Sequence, residues 1–155
     1  MKIDSVDFNN RKKAFSVVAE GKTYWFPYSK AGTEPTREDP VASVCVDDEL
    51  GSQGFTFVLR SGQEDSVLMD QVLDYNRDPG YLRNQLLYTL TLEAQRRVAS
   101  SPLSRREIIR RMATSAPQLY RLLDQTNYSK SVDQMLTLLT VLDCDVEMVV
   151  HAKVA

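Results

Sequence analysis

The chain has 155 residues, with 19 Lys+Arg against 21 Asp+Glu for a formal net charge of −2, and a single histidine. With 43% apolar and 26% charged residues its composition is that of an ordinary globular chain, of a length for one domain or two small ones that can bury a working core. It has no apolar run of membrane-spanning length, and the opening MKIDSVDF lacks the apolar segment of a secretion signal; we expect no membrane partner and a cytoplasmic location.

Residues 1–70 read as strands. Lys2–Asp7 alternates weakly, Lys13–Ala19 brings Phe15, Val17 and Val18, and Glu20-Gly21 punctuates before Lys22–Phe26, which together predict a β-hairpin that Pro27 ends. Tyr28–Pro40 is polar and carries Gly32, Pro35 and Pro40, so it reads as a long exposed loop. Val41–Val46 resumes a strand, and Phe55–Leu59 pairs through Ser61-Gly62 with Ser66–Met69. One antiparallel sheet of about five or six strands is the expectation. Tyr24, Trp25, Phe26 and Tyr28 would suit a small-molecule pocket, but alternate members more simply pack a sheet core while the others cover its edge. Asp47-Asp48-Glu49 lacks the spacing and glycine of a calcium loop, so no metal is assigned. Cys45 and Cys144 have no Cys or His near them in sequence and read as two buried thiols of a reducing compartment.

Asp70–Asp78 reads as a short helical turn or an extended link, and Asp78-Pro79-Gly80 as the boundary between domains 1–78 and 79–155. From Tyr81 to Ala99 the series Leu82, Leu86, Leu90, Ala94, Val98 predicts one helix of about nineteen residues with Leu87 and Leu92 beside its stripe. Ser100-Ser101-Pro102 breaks it.

Next comes SRREIIRRMATSAPQLYRLLD, Ser104–Asp124, which reads as two short helices and a tight turn. Ser104 with Glu107 is a capping-box signature, and Ile108, Ile109 and Met112 give the first helix an apolar face. Ala113-Thr114-Ser115 interrupts; Ser115 or Thr114 caps a second helix with Pro117 in its first turn. Leu119, Leu122 and Leu123 point to the core, which leaves Gln118, Tyr120 and Arg121 outside. After a polar loop, Gln125–Lys130, Ser131 caps a helix with Val132, Met135, Leu136, Leu139 and Leu142 on its inner face. Val146, Met148 and Val150 then alternate like a strand, whose partner is the N-terminal sheet or a symmetry-related copy.

The spacing of REIIRRMATSAPQLYRLLD together with SVDQMLTLLTVLDCDVEM resembles the helix-turn-helix of the phage-repressor (Cro-like, XRE) family over roughly Tyr81–Val150. The departures are Ile109, where that family usually has a small residue, and Ala113, where it usually has glycine. The resemblance implies that the C-terminal half is an all-α lambda-repressor-like domain; with the small antiparallel β-sheet domain read from the residues before it, the expected fold class is α+β. The same resemblance implies that the second helix of the pair lies in the major groove, with Ala116, Pro117, Gln118 and Arg121 facing bases and Arg105 facing phosphate at the start of the first. The DNA-contacting set it implies is Arg105, Arg106, Thr114, Ser115, Ala116, Pro117, Gln118, Tyr120 and Arg121.

The charge distribution points the same way. Residues 1–79 carry 9 Lys+Arg against 14 Asp+Glu, a net of −5, and residues 80–155 carry 10 against 7, a net of +3. Between Arg96 and Arg121 there are seven arginines and one acid, Glu107, as suits a polyanion partner. Enzyme chemistry is not expected: His151 is the sole histidine, so no Ser-His-Asp or multi-histidine site forms within one chain, and no phosphate-binding glycine motif occurs. The function expected is that of a transcription regulator binding double-stranded operator DNA as a homodimer, without cofactor or metal, the β-domain sensing, dimerising or recruiting a protein partner. The alternative is an antitoxin-like interaction module whose DNA role is secondary or lost.

Overall fold

The computed structural model describes residues 1–153. Among the described residues the chain is mixed α and β, with two three-stranded antiparallel sheets and five α-helices, and it divides into two compact units, Met1–Leu82 and the remainder from Arg83. No helix among the described residues is long and apolar enough to cross a membrane.

The first unit has six strands in two separate meanders rather than one sheet. Strands β1 (Ser5–Asn9), β2 (Ala14–Ala19) and β3 (Lys22–Pro27) form one; β4 (Val41–Val46), β5 (Gly54–Leu59) and β6 (Glu64–Leu68) form the other. Glu20 and Gly21 both adopt left-handed backbone (φ 49° and 75°), the mirror-image turn that matches strand twist and closes β2 on β3 in two residues. Phe15, fully buried, joins the sheets: its ring lies 4.9 Å from both Phe55 and Phe57 and 4.8 Å from Tyr28. Tyr24, Phe26 and Tyr28 are buried in this core, whereas Trp25, which points the other way along β3, is 45% exposed beneath the Lys12 ammonium.

Residues 28–40 form no strand, yet they are not simply an exposed loop. Tyr28–Lys30 makes a single 3-10 turn, and Tyr28, Ala31 and Pro35 are buried. The Tyr28 hydroxyl, pushed up to about 12 by burial, donates to Asn10 Oδ1 at 2.9 Å, and the same amide donates to the Val41 carbonyl and accepts from the Val41 N–H. Asn10 thereby ties the β1–β2 turn to the start of β4.

Cys45 is exposed, not core. A bulge between Val41 and Ser43 adds one residue to β4, so the inward phase passes from Val41 to Val44 and Val46 and turns Cys45 to solvent. Of the two readings left open for Asp70–Asp78, the helix holds: α1 (Met69–Asn76) buries Met69, Val72 and Leu73.

Pro79 and Gly80 are not a linker but the first turn of α2 (Pro79–Ser100), where a missing N–H is harmless and Asp78 Oδ2 accepts from the Tyr81 N–H at 3.0 Å. The expected stripe along α2 holds only in its second half, where Ala94 is buried and Leu90 and Val98 pack against the helical core. Leu87, Thr91 and Ala94 are fully buried, while Leu82 and Leu86 are each 37% exposed. A row of residues four apart drifts about 40° per step around a helix, so five such positions cannot share one face.

In the second unit, α3 (Arg105–Met112), α4 (Ala116–Leu123) and α5 (Val132–Val141) close a core of Leu87, Ile108, Leu119, Leu122, Met135 and their neighbours. On α5 the inner row is Met135, Leu138, Leu139 and Leu142; Leu136 is only half-buried and lies outside the cluster. Cys144 is half-buried against this core. The expected strand over Val146–Val150 is absent. The segment forms no regular element and makes no backbone hydrogen bond among the described residues, and a lone strand has nothing to saturate its backbone groups.

Candidate nucleic-acid interface

Ser104 caps α3 by accepting the Glu107 N–H at 3.1 Å, but the reciprocal half of the capping box does not form. Glu107 turns instead to two arginines of its own helix: Arg110, which clamps both carboxylate oxygens, and Arg111, whose Nε lies 3.0 Å from Oε1. The hydrogen bonds from Arg110 and then Arg111 hold this carboxyl down at about 2.

α3 ends at Ala113, whose left-handed backbone (φ 52°) lets its N–H reach the Arg110 and Ile109 carbonyls while the Thr114 N–H returns to Ile109 at 3.1 Å. This is a glycine conformation held by an alanine. We expect Ala113→Gly to stabilise the helical unit by about 0.5–1 kcal/mol, the relief of Cβ strain exceeding the entropy glycine adds to the unfolded chain. Urea unfolding followed by far-UV circular dichroism measures it, and a loss of stability would show that the turn tolerates Cβ freely.

The three residues Ala113-Thr114-Ser115 make the turn. Ser115 then caps α4 through the Gln118 N–H (3.3 Å), with Pro117 in the first turn where its ring is tolerated. Because Leu119 and Leu122 are buried and Leu123 is half-buried, α4 must present the opposite side to solvent. Ala116, Pro117, Tyr120 and Arg121 lie exposed there, and Gln118 sits half-buried at its margin, not on the outer face. Thr114 is half-buried and Ser115 exposed. Arg105 reaches across from α3: its guanidinium lies 5.5 Å over the Tyr120 ring, which joins the first turn of α3 to the exposed face of α4.

The arginine excess is smaller in space than in sequence. Arg96 and Arg97 pair with Glu93, three residues before the counted block, and Arg110 and Arg111 pair with Glu107. Among the described residues, Arg105, Arg106 and Arg121 make no salt bridge. All three belong to α3 or α4, are exposed, and were in the set read from the sequence.

Sequence reasoning missed what fixes the far end of α4. No glycine follows that helix. The Leu122 and Asp124 carbonyls instead accept from the buried Lys130 ammonium (2.8 and 2.9 Å), and the Leu123 carbonyl accepts from Gln95 Nε2 (2.7 Å). Burial pulls the Lys130 pKa below the ordinary lysine value, opposed by the nearby Asp124 charge. The Lys130 carbonyl is itself held by Arg83 Nη2 at 2.8 Å. Within the unit, α4 is thus clamped at both ends. Compared with protein-family models, curated proteins and solved structures, the chain matches none.

Proposed function

We propose that this protein is a DNA-binding transcription regulator of lambda-repressor-like fold, in which α3, the turn and α4 form a helix-turn-helix and α4 enters the major groove. The observation that carries this reading is the coincidence of two features on one surface. Two short helices meet through a three-residue turn that opens on a left-handed residue, and of the seven arginines between Arg96 and Arg121 the three that make no salt bridge among the described residues, Arg105, Arg106 and Arg121, lie exposed on those helices. Arginine that is not neutralised within the protein is available to phosphate and to guanine. In this reading the protein works as a homodimer on two half-sites about one helical turn apart, since one such unit makes few base contacts. The acidic β-unit then serves regulation, dimerisation or recruitment.

Two substitutions test it. Arg121→Ala is expected to cost roughly 1–3 kcal/mol on a selected site and to relax sequence preference, because a guanidinium on the exposed face of α4 can meet both major-groove acceptors of guanine. Arg105→Ala is expected to weaken all duplexes alike and to lower the salt slope by about one unit. Fluorescence anisotropy on selected and scrambled duplexes at two salt concentrations separates them. If neither substitution changes affinity at low salt, the helix pair is a scaffold, and the antitoxin-like reading replaces this one.

A further inference from the structure

From Cys144 onward the chain carries a pattern that its own fold leaves unused. Even-numbered residues are apolar (Cys144, Val146, Met148, Val150, Ala152); odd-numbered residues are charged or polar except Val149 (Asp145, Glu147, His151, Lys153). Alternation of apolar and polar residues is the signature of a strand with one covered face. The apolar face begins in the helical core, where Cys144 packs half-buried, and runs outward through Val146 (45% exposed), Met148 (75%) and Val150 (84%). Among the described residues, no hydrogen bond or salt bridge involves Asp145–Lys153, so the backbone donors and acceptors of this segment are unsaturated within the chain.

The charges select the partner. The acids Asp145 and Glu147 stand at one end of the segment and the bases His151 and Lys153 at the other. Parallel pairing with an identical segment would stack acid on acid. Antiparallel pairing centred on Val149 sets Asp145 opposite Lys153 and Glu147 opposite His151, twice over across a two-fold axis, and keeps Val146 opposite Ala152 and Met148 opposite Val150 on the other face. A slip by one residue would place apolar side chains among the charges.

We propose that residues 145–153 form an antiparallel two-stranded ribbon with the same residues of a second copy of this chain, in the register centred on Val149. The ribbon saturates backbone groups left open in one copy and closes its apolar face as a continuation of the helical core. This inference rests on the two-copy part of the functional reading and is independent of DNA binding.

Sedimentation equilibrium on the full chain, without DNA, tests it. Unaltered protein is expected to dimerise at tens of micromolar. Met148→Asp, at an exposed position that no fold contact depends on, is expected to raise the dimer dissociation constant about tenfold or more, because the ribbon loses an apolar pair and gains a desolvated acid in each copy. The Asp145→Lys/Glu147→Lys variant and the His151→Glu/Lys153→Glu variant are each expected to be monomeric alone and to pair when mixed, since every facing pair then regains opposite charge. A dimer unaffected by all of these substitutions overturns the ribbon while leaving the two-copy reading intact. A mixture that fails to pair although Met148→Asp dissociates the dimer overturns the antiparallel register. A strict monomer at these concentrations overturns both the ribbon and the two-copy reading.

Discussion

Leu138→Ala and Leu139→Ala are each expected to destabilise the helical unit by ~2–5 kcal/mol, and Leu136→Ala, just before them on the same helix, by under about 1 kcal/mol. Leu138 is fully buried and Leu139 is 1% exposed, both within the cluster that also holds Ile108, Leu119 and Leu122. Truncating either removes buried methyl groups and opens a cavity facing α3 and α4, so the loss is transferred to the helices of the proposed DNA surface. Leu136 is half-buried outside that cluster, and its truncation removes little burial. The two units call for separate probes. Trp25, the sole tryptophan, lies in the first unit, so its fluorescence follows the β-rich core while circular dichroism at helical wavelengths follows the second. Equal losses at Leu136 and Leu138 would mean that α5 is rotated relative to the row Met135, Leu138, Leu139, Leu142.

The contrast among these leucines shows where the sequence is legible and where it is not. Start and stop signals were readable because they are local: Ser104, Ser115 and Ser131 each cap the helix that follows through the N–H three residues on. The strands over Val41–Val46 and Phe55–Leu59 were readable for a similar reason, alternation being a property of the segment itself. Which side of an element faces the core is not local. Leu136 and Leu138 are equally apolar, and only the packing of α3 and α4 selects Leu138. On β4 one bulged residue reversed the phase and brought Cys45 to the surface, and no side chain in VASVCV announces a bulge. The division of six strands into two sheets depends on which edges meet, and the hydrophobic pattern is the same in either arrangement.

The candidate surface divides in the same way. The two short helices and the turn between them were visible in the sequence, and Ala113, where the resembled family usually has glycine, takes left-handed backbone. The charge of the surface was less visible. Seven arginines in a run of mostly apolar and small residues suggest a broad basic face, yet four of them share two carboxylates, Glu93 and Glu107, at helical spacing, which offsets two of the seven charges. The arginines of that run that share no carboxylate stand at the start of α3 and on α4.

Replacing Lys130 by methionine is expected to cost the helical unit ~2–4 kcal/mol, although both side chains have a long apolar stem. In sequence this lysine closes a polar loop and looks like a solvated surface charge. In the fold it is 2% exposed, and its ammonium donates to the Leu122 and Asp124 carbonyls at the end of α4. A buried lysine is tolerated only where its donors are used, and here they complement the negative end of a helix that lacks a glycine cap. Methionine keeps the packing of the stem but leaves the Leu122 carbonyl without its donor and the Asp124 carbonyl with only the Asn127 N–H at 3.1 Å, so the cost is that of lost hydrogen bonds at buried groups and not of a cavity. Lys130→Arg separates charge from shape: a planar guanidinium in a pocket shaped for a compact ammonium is expected to recover only part of the loss. Chemical denaturation followed by circular dichroism gives both values, and amide hydrogen exchange of Leu122 and Leu123 localises them. If Lys130→Met unfolds within about 0.5 kcal/mol of the unaltered protein and leaves that exchange unchanged, the two carbonyls are satisfied without the lysine, and α4 does not depend on this clamp for its position.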